Sequence, residues 1–179
     1  MSNSITDTMS PEQKRDYQQS CLDFDAILKP FLLLKLDKIF DISITTDATL
    51  DREHGIDFIA THLQSNKFVD IPIACKTQKV SSPWPTICVR YSRGSGRTTE
   101  YEKIKKLIET DSIRPWVHMH AYFDMNGNVL KVYIVKTDDL FRWLKTNIET
   151  VDRRYKYGDS FLAIKVSDLK RDGVDYVEL

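Results

Sequence analysis

Several things are scarce in this 179-residue chain, and each scarcity excludes a class of protein. Cysteine occurs three times, at Cys21, Cys75 and Cys88. The number is odd and no C-x-x-C pair exists, which argues against a zinc knuckle or a disulfide framework and for a reducing, cytoplasmic compartment. No uninterrupted apolar run exceeds four residues, as at Phe31–Leu34, so no segment is expected to cross a bilayer. Residues 1–9 are polar and hold no apolar stretch of the secretory type; they read as a flexible tail ahead of one domain over residues 10–179. Charge of one sign is missing as well. Lys plus Arg and Asp plus Glu both number 26, so any nucleic-acid site must be a local patch rather than a global field. The patterns G-x-S-x-G, H-E-x-x-H and G-x-G-x-x-G do not occur, and S-R-G-S-G-R at residues 92–97 lacks the G-K-[ST] ending of a phosphate-binding loop. Serine hydrolases, zinc peptidases and dinucleotide enzymes therefore find no support.

What is present fits a globular protein. The apolar share is 41% and the charged share 29%, too balanced for wholesale disorder. A chain of this length buries roughly two-thirds of its unfolded surface and needs no staple to fold. Ser10-Pro11 reads as a helix start, with Ser at the N-cap and Pro at the first helical position. Cys21, Phe24, Ile27 and Leu28 recur at helical spacing, predicting a helix to about Phe40, with Pro30 kinking or splitting it.

Strands follow. Residues 42–44, 56–62 and 68–76 alternate, and the last two form a hairpin across the turn at residues 64–67. Residues 86–91 predict a short strand, residues 92–98 a mobile loop and residues 99–110 a helix. Residues 116–123 and 129–135 predict a second hairpin around Asn126-Gly127. Thr137 is expected to cap a helix over residues 138–148, and residues 161–166 and 174–177 to add short strands. The order predicts an α/β (α+β) fold with a central mixed β-sheet flanked by helices.

The chemically informative stretch is D-R-E-H-G-I-D-F-I-A-T-H, a turn, then V-D-I-P-I-A-C-K-T-Q. Asp57 opens the first arm of the hairpin and Lys76 closes the second, so both ends approach one edge of the sheet. A carboxylate beside a lysine suits metal-assisted phosphodiester hydrolysis. The carboxylate holds a divalent ion, and the lysine offsets charge developing on phosphate or orients water. The alternative is that Asp57 and Lys76 are strand-end residues and that Asp51, Arg52 and Glu53 are a charged turn.

On these residues the chain resembles the PD-(D/E)XK, restriction-endonuclease-like nuclease superfamily. Asp57 within G-I-D-F, the intervening hairpin and a strand ending in x-x-Lys carry the resemblance, as does the order helix, strand, hairpin, helix, strand over residues 12–148. The resemblance implies a restriction-endonuclease-like core and a metal-dependent endonuclease that hydrolyses DNA with Mg²⁺, or Mn²⁺ in its place. RNA stays open as a substrate. It implies Asp57 as first metal ligand, the Cys75 backbone carbonyl as a second and Lys76 as catalytic lysine. Asp51 and Glu53 become accessory acids, and Gln78, two residues beyond the lysine, holds a water or a phosphate. The departure is Ala74, where the family carries its second acid. Either another carboxylate migrates in, from Asp51, Glu53 or Asp70, or the chain is an inactive nuclease-like module that binds nucleic acid or a protein partner. A homodimer or a subunit of a larger assembly fits a chain without a separate specificity domain.

Between Lys76 and Lys106 eight basic residues face two acids. Lys79, Arg90, Arg93, Arg97 and Lys103 in this stretch are candidate phosphate contacts, or else a solvated loop and helix face. His118 and His120 share a strand face, as a metal pair with His54 or His62 or, more simply, as buried strand residues. Trp84, between Pro83 and Pro85, is a rigid loop anchor or a surface on which a base stacks.

Overall fold

Apolar alternation in the two hairpins builds the centre of the molecule. The structure, a computed structural model, describes residues 11–44, 50–94, 96–156 and 158–179. The expected tail at residues 1–9 and the Ser10 cap lie outside the described residues.

Helix α1 (Pro11–Asp23) runs through a wide π-helical turn, Phe24–Leu28, into α2 (Lys29–Lys35). The expected disturbance at Pro30 thus falls just before the proline. Its ring would clash with the carbonyl four residues back, Ala26, and that carbonyl lies inside the widened turn. The helix ends at Lys35 rather than Phe40, because residues 39–44 form strand β1 (Ile39–Ile44).

Strands β2 (Phe58–Gln64) and β3 (Lys67–Lys79) form the first hairpin. Strand β4 (Thr86–Ser92) and helix α3 (Glu100–Glu109) carry the chain over to β5 (Val117–Phe123), which pairs parallel with β3. A parallel pair requires such a long crossover. Strand β6 (Val129–Lys136) completes the second hairpin, helix α4 (Thr137–Asn147) follows, and β7 (Asp152–Lys156), β8 (Asp159–Lys165), α5 (Val166–Arg171) and β9 (Tyr176–Glu178) close the chain. The large sheet is mixed, six strands in the order β1-β2-β3-β5-β6-β9, and a second antiparallel sheet runs β4-β8-β7. The fold is therefore a mixed α/β architecture with helices on the sheets.

The two faces of the large sheet bury separate cores. One packs Phe24, Leu28 and Leu32 against Ile42, Phe58, Ala60, Ile73, Met119 and Ala121. The other joins the small sheet, through Ile87, Val89, Leu162 and Ile164, to Tyr122, Tyr133 and residues of α3 and α4.

Three details differ from the sequence reading. Helix α4 is preceded by Lys136 at its N-cap position without a side-chain cap, and the Thr137 hydroxyl is buried without a partner. Val166 opens helix α5 instead of ending a strand. Strand β7 was not expected at all. No helix among the described residues is long and apolar enough to cross a membrane.

Candidate active site

Two local devices bring the acidic turn against helix α3. Gly55 adopts a left-handed φ of +70°, and a Cβ there would meet the Ile104 Cδ1 at 3.3 Å and the Lys103 Cδ at 3.4 Å. The glycine allows residues 50–57 to lie close on α3. At the start of α3, the Glu102 N–H donates to the Thr99 Oγ1 (3.2 Å) and the Thr99 N–H donates to the Glu102 carboxylate (2.9 Å), a reciprocal cap. This fixes Glu100 in the first helical turn, facing the sheet.

Register supplies the rest. Across the parallel pair, Ala74 lies beside His118, Lys76 beside His120 and Gln78 beside Tyr122. These side chains share one face. The His118 Nε2 lies 2.6 Å from the Glu100 Oε1, and the Arg90 backbone N–H donates to the Glu100 Oε2 at 2.9 Å. A carboxylate on α3 thus reaches the side chain that neighbours Ala74.

Asp57 sits just before β2. Its Oδ2 accepts the Cys75 N–H at 2.7 Å. Burial pushes the Asp57 carboxyl up to about 8, opposed by the Cys75 hydrogen bond and reinforced by the charges of Asp51 and Glu100. Burial also acts on Glu100, yet the His118 hydrogen bond and the charges of His118 and Lys76 outweigh it and hold that carboxyl at about 2. Burial lowers Lys76 to about 8, with Glu100 working against the shift. Its ammonium lies 3.5 Å from the Phe161 ring centroid, a cation–π contact that suits a partly desolvated cation.

Basic groups surround these three. The Lys103 ammonium donates to the Asp51 carbonyl at 2.9 Å and feels the charges of Asp51 and Asp57. The Arg90 Nε lies 3.3 Å from the Asp159 Oδ2. Arg93 is half-buried near Arg90, Asp159, Arg97 and Glu100, and its Nε has no hydrogen-bond partner. At the start of the loop after β4, the Gly94 N–H donates to the Asp159 Oδ1 at 3.3 Å, and Ser92 and Ser160 share a 2.6 Å hydroxyl contact.

Other candidates fall elsewhere. Asp70 is exposed and accepts from the Thr61 hydroxyl at 3.3 Å, near the hairpin tip. It stands four residues, about 13 Å of strand, before Ala74, so it is not brought to Asp57. Glu53 is exposed on the turn. Lys79 points to the opposite face and pairs with Asp23 of α1 at 3.2 Å. Arg97 is exposed at the rim, beside Arg93. Gln78 lies half-buried beyond Lys76. His54 Nδ1 lies 2.8 Å from the Ile113 carbonyl oxygen, and His62 is on β2, so neither joins His118 and His120. Glu100 is the residue that sequence reasoning missed as an acid of the site. Its only local signal is the T-x-x-E cap around it, which marks a helix start and says nothing about the face it meets.

No group of three or more His, Cys, Asp or Glu side chains that could hold a metal ion is present among the described residues. Mg²⁺ does not require one, since it binds through one or two carboxylates and keeps several waters or phosphate oxygens. The charges of Asp51 and Glu100 act on Asp57 and help to raise its pKa. Compared with models of known families and with curated proteins, the chain matches none.

Proposed function

We propose that the chain is a Mg²⁺-dependent phosphodiester hydrolase that cleaves DNA, built on a restriction-endonuclease-like core. The observation that carries this reading is that two buried carboxylates from separate elements, Asp57 and Glu100, lie near enough for the charge of Glu100 to act on Asp57, and that Lys76 and Glu100 act on each other in the same way, among basic side chains. The element order also supports it: helix, strand, hairpin, a strand of the small sheet, crossover helix, and a strand parallel to the third.

In this reading Asp57 and Glu100 would hold the ion, with Asp51 as outer support, and the ion would supply polarisation of a phosphoryl oxygen and a water of lowered pKa. Lys76, whose pKa burial lowers to about 8, would move a proton or offset the charge developing on the phosphate. His118 orients the Glu100 carboxylate and the Cys75 N–H orients Asp57. Arg93, half-buried at the rim, and Lys103 hold flanking phosphates.

A second reading is a binding module without catalysis. It is favoured by Ala74 and by the fact that both Glu100 oxygens already accept hydrogen bonds. One experiment separates the two. Purified protein is incubated with plasmid, single-stranded DNA and RNA in Mg²⁺, Mn²⁺ or EDTA, beside Asp57→Asn and Glu100→Gln. Cleavage that needs the metal and is lost in both variants supports the hydrolase; binding without cleavage in any metal leaves the module.

A further inference from the structure

The small sheet presents a second set of polar groups to the same side as Lys76. Register places Arg90 of β4 beside Phe161 of β8, and Phe161 beside Arg154 of β7; Lys156 follows two residues later on the same face. The charge of Lys156 acts on Lys76, and that of Arg154 acts on Cys88 and His120. The basic surface therefore runs on from the candidate active site onto β7. Of the acids near it, Asp152 pairs with Lys165 at 3.2 Å and Asp159 with Arg90 at 3.3 Å.

At this end stands Trp84. It is 38% exposed, although an indole of this size is usually covered. Its place is fixed by the flanking prolines, by the Thr86 N–H that donates to its carbonyl at 2.8 Å, and by an edge contact with Tyr122 at 6.4 Å. The Arg154 guanidinium stacks on its ring at 4.2 Å, and the Arg154 Nη1 is buried without a hydrogen-bond partner. A rigid, partly exposed aromatic stacked with a guanidinium on a basic strand is the chemistry that takes up an unpaired base beside its phosphates. Arg154 and Lys156 are about 6.6 Å apart along the strand, on the order of the phosphate repeat of an extended nucleic-acid strand.

We propose that Trp84, Arg154 and Lys156 form a nucleotide subsite next to the cleavage site. An unpaired base extends the Arg154–Trp84 stack while Arg154 and Lys156 hold its phosphates. This rests on the nuclease reading and deepens it: the substrate is a single strand or a frayed end, not an intact duplex. A base held in a duplex stacks on its neighbours and cannot add to the indole.

The test measures binding, not cleavage. Short labelled DNA and RNA strands, and the duplex of the same DNA sequence, are titrated with the full chain in EDTA by fluorescence anisotropy. Trp84→Leu is expected to weaken strand binding about ten-fold while duplex binding changes less than about two-fold, and Trp84→Phe to retain most of the strand affinity. Arg154→Gln reads the same loss should Trp84→Leu fail to fold. Equal losses on strand and duplex, or no loss on either, overturn the subsite. The DNA and RNA arms show whether the sugar matters. Strand-selective binding that depends on Trp84, without cleavage in Mg²⁺, keeps the subsite and removes the nuclease. Metal-dependent cleavage indifferent to Trp84 does the reverse.

Discussion

The two faces of the β3–β5 pair share a backbone and differ in every other respect. One face carries Ile73, Cys75, Met119 and Ala121, closed under Phe24, Leu28 and Leu32. The other carries Ala74, Lys76, His118 and His120, with Glu100 and Asp57 laid over them. The first face is what folding favours: apolar side chains packed on one another, with Phe24 stacked on Phe58, centroids 3.7 Å apart. The second buries charge and leaves the His118 Nδ1 and the His120 Nε2 without partners. Unpaired buried polar groups cost stability, so this face is where strain against stability is concentrated. Such groups gather at functional sites.

The largest expected effects test that contrast directly. Phe24→Ala removes a fully buried ring and should cost about 3–5 kcal/mol, read as a drop in the denaturant midpoint, with any activity lost through unfolding. Asp57→Asn should lower metal-dependent cleavage about a hundred- to thousand-fold while the protein becomes more stable. The sign follows from the raised pKa. The folded chain keeps a proton on Asp57 up to about 8, whereas the unfolded chain releases it near 3.8. Stability tied to that proton is complete below about 4 and is lost as pH rises through 8. The melting temperature of Asp57→Asn should therefore exceed that of the parent most at pH 8–9 and least at pH 4. A variant less stable than the parent at pH 8 would make Asp57 a structural residue. Glu100 runs the other way: its folded pKa of about 2 lies below the ordinary 4.5, so its contribution is present above 4.5 and lost as pH falls toward 2.

Divalent-ion binding should follow the same proton. An ion that ligates Asp57 must displace it, so affinity should rise about ten-fold per pH unit between pH 6 and 8 and level off above. Calorimetric titration with Mn²⁺ at several pH values gives the slope. A flat profile would mean that the ion, if bound, uses other groups.

The apolar face was the legible one. Alternation in residues 56–76 and 117–135 named both hairpins, and Asn126-Gly127 named the second turn, where Gly127 has a φ of +89° and Asp124 accepts the Asn126 and Asn128 N–H groups at 2.8 Å. The polar face was half legible. Asp57 and Lys76 lie in the hairpin, where local pattern fixes their spacing. Glu100 comes from across a parallel crossover, and no local period relates it to Ala74. Strand β7 was hidden because D-R-R-Y-K has no apolar alternation; it is an edge strand, paired with β8 on one side. Thr137 looked like a cap because residue type and position matched, but its side chain turns inward.

A smaller effect is expected at the rim of the site. Arg93→Ala should weaken DNA binding across sequences and reduce the slope of log affinity against log salt by about one, because one phosphate contact releases roughly 0.9 of a counterion on duplex DNA. Affinity measured at several salt concentrations gives the slope. No change would place Arg93 in the loop's own scaffold, held near Asp159, rather than on the nucleic acid.

The smallest effect separates the faces most cleanly. Lys79 belongs to the same basic stretch of sequence as Arg90 and Arg93, and by composition alone it is as good a phosphate contact. Its strand position is odd where Lys76 and Gln78 are even, so its side chain emerges on the apolar side and meets Asp23, which also accepts from Gln19 at 2.7 Å. The pair is partly exposed, so Lys79→Ala should lower stability by no more than about 1 kcal/mol. The salt slope of DNA binding should stay at the parent value. If it fell by about one, as expected for Arg93, the nucleic acid would have to wrap past the end of β3 onto the α1 side. The functional surface would then no longer be confined to the face that carries Lys76. An unchanged slope in Lys79→Ala beside a reduced slope in Arg93→Ala assigns the binding surface by strand parity, which the charge count along the sequence does not distinguish.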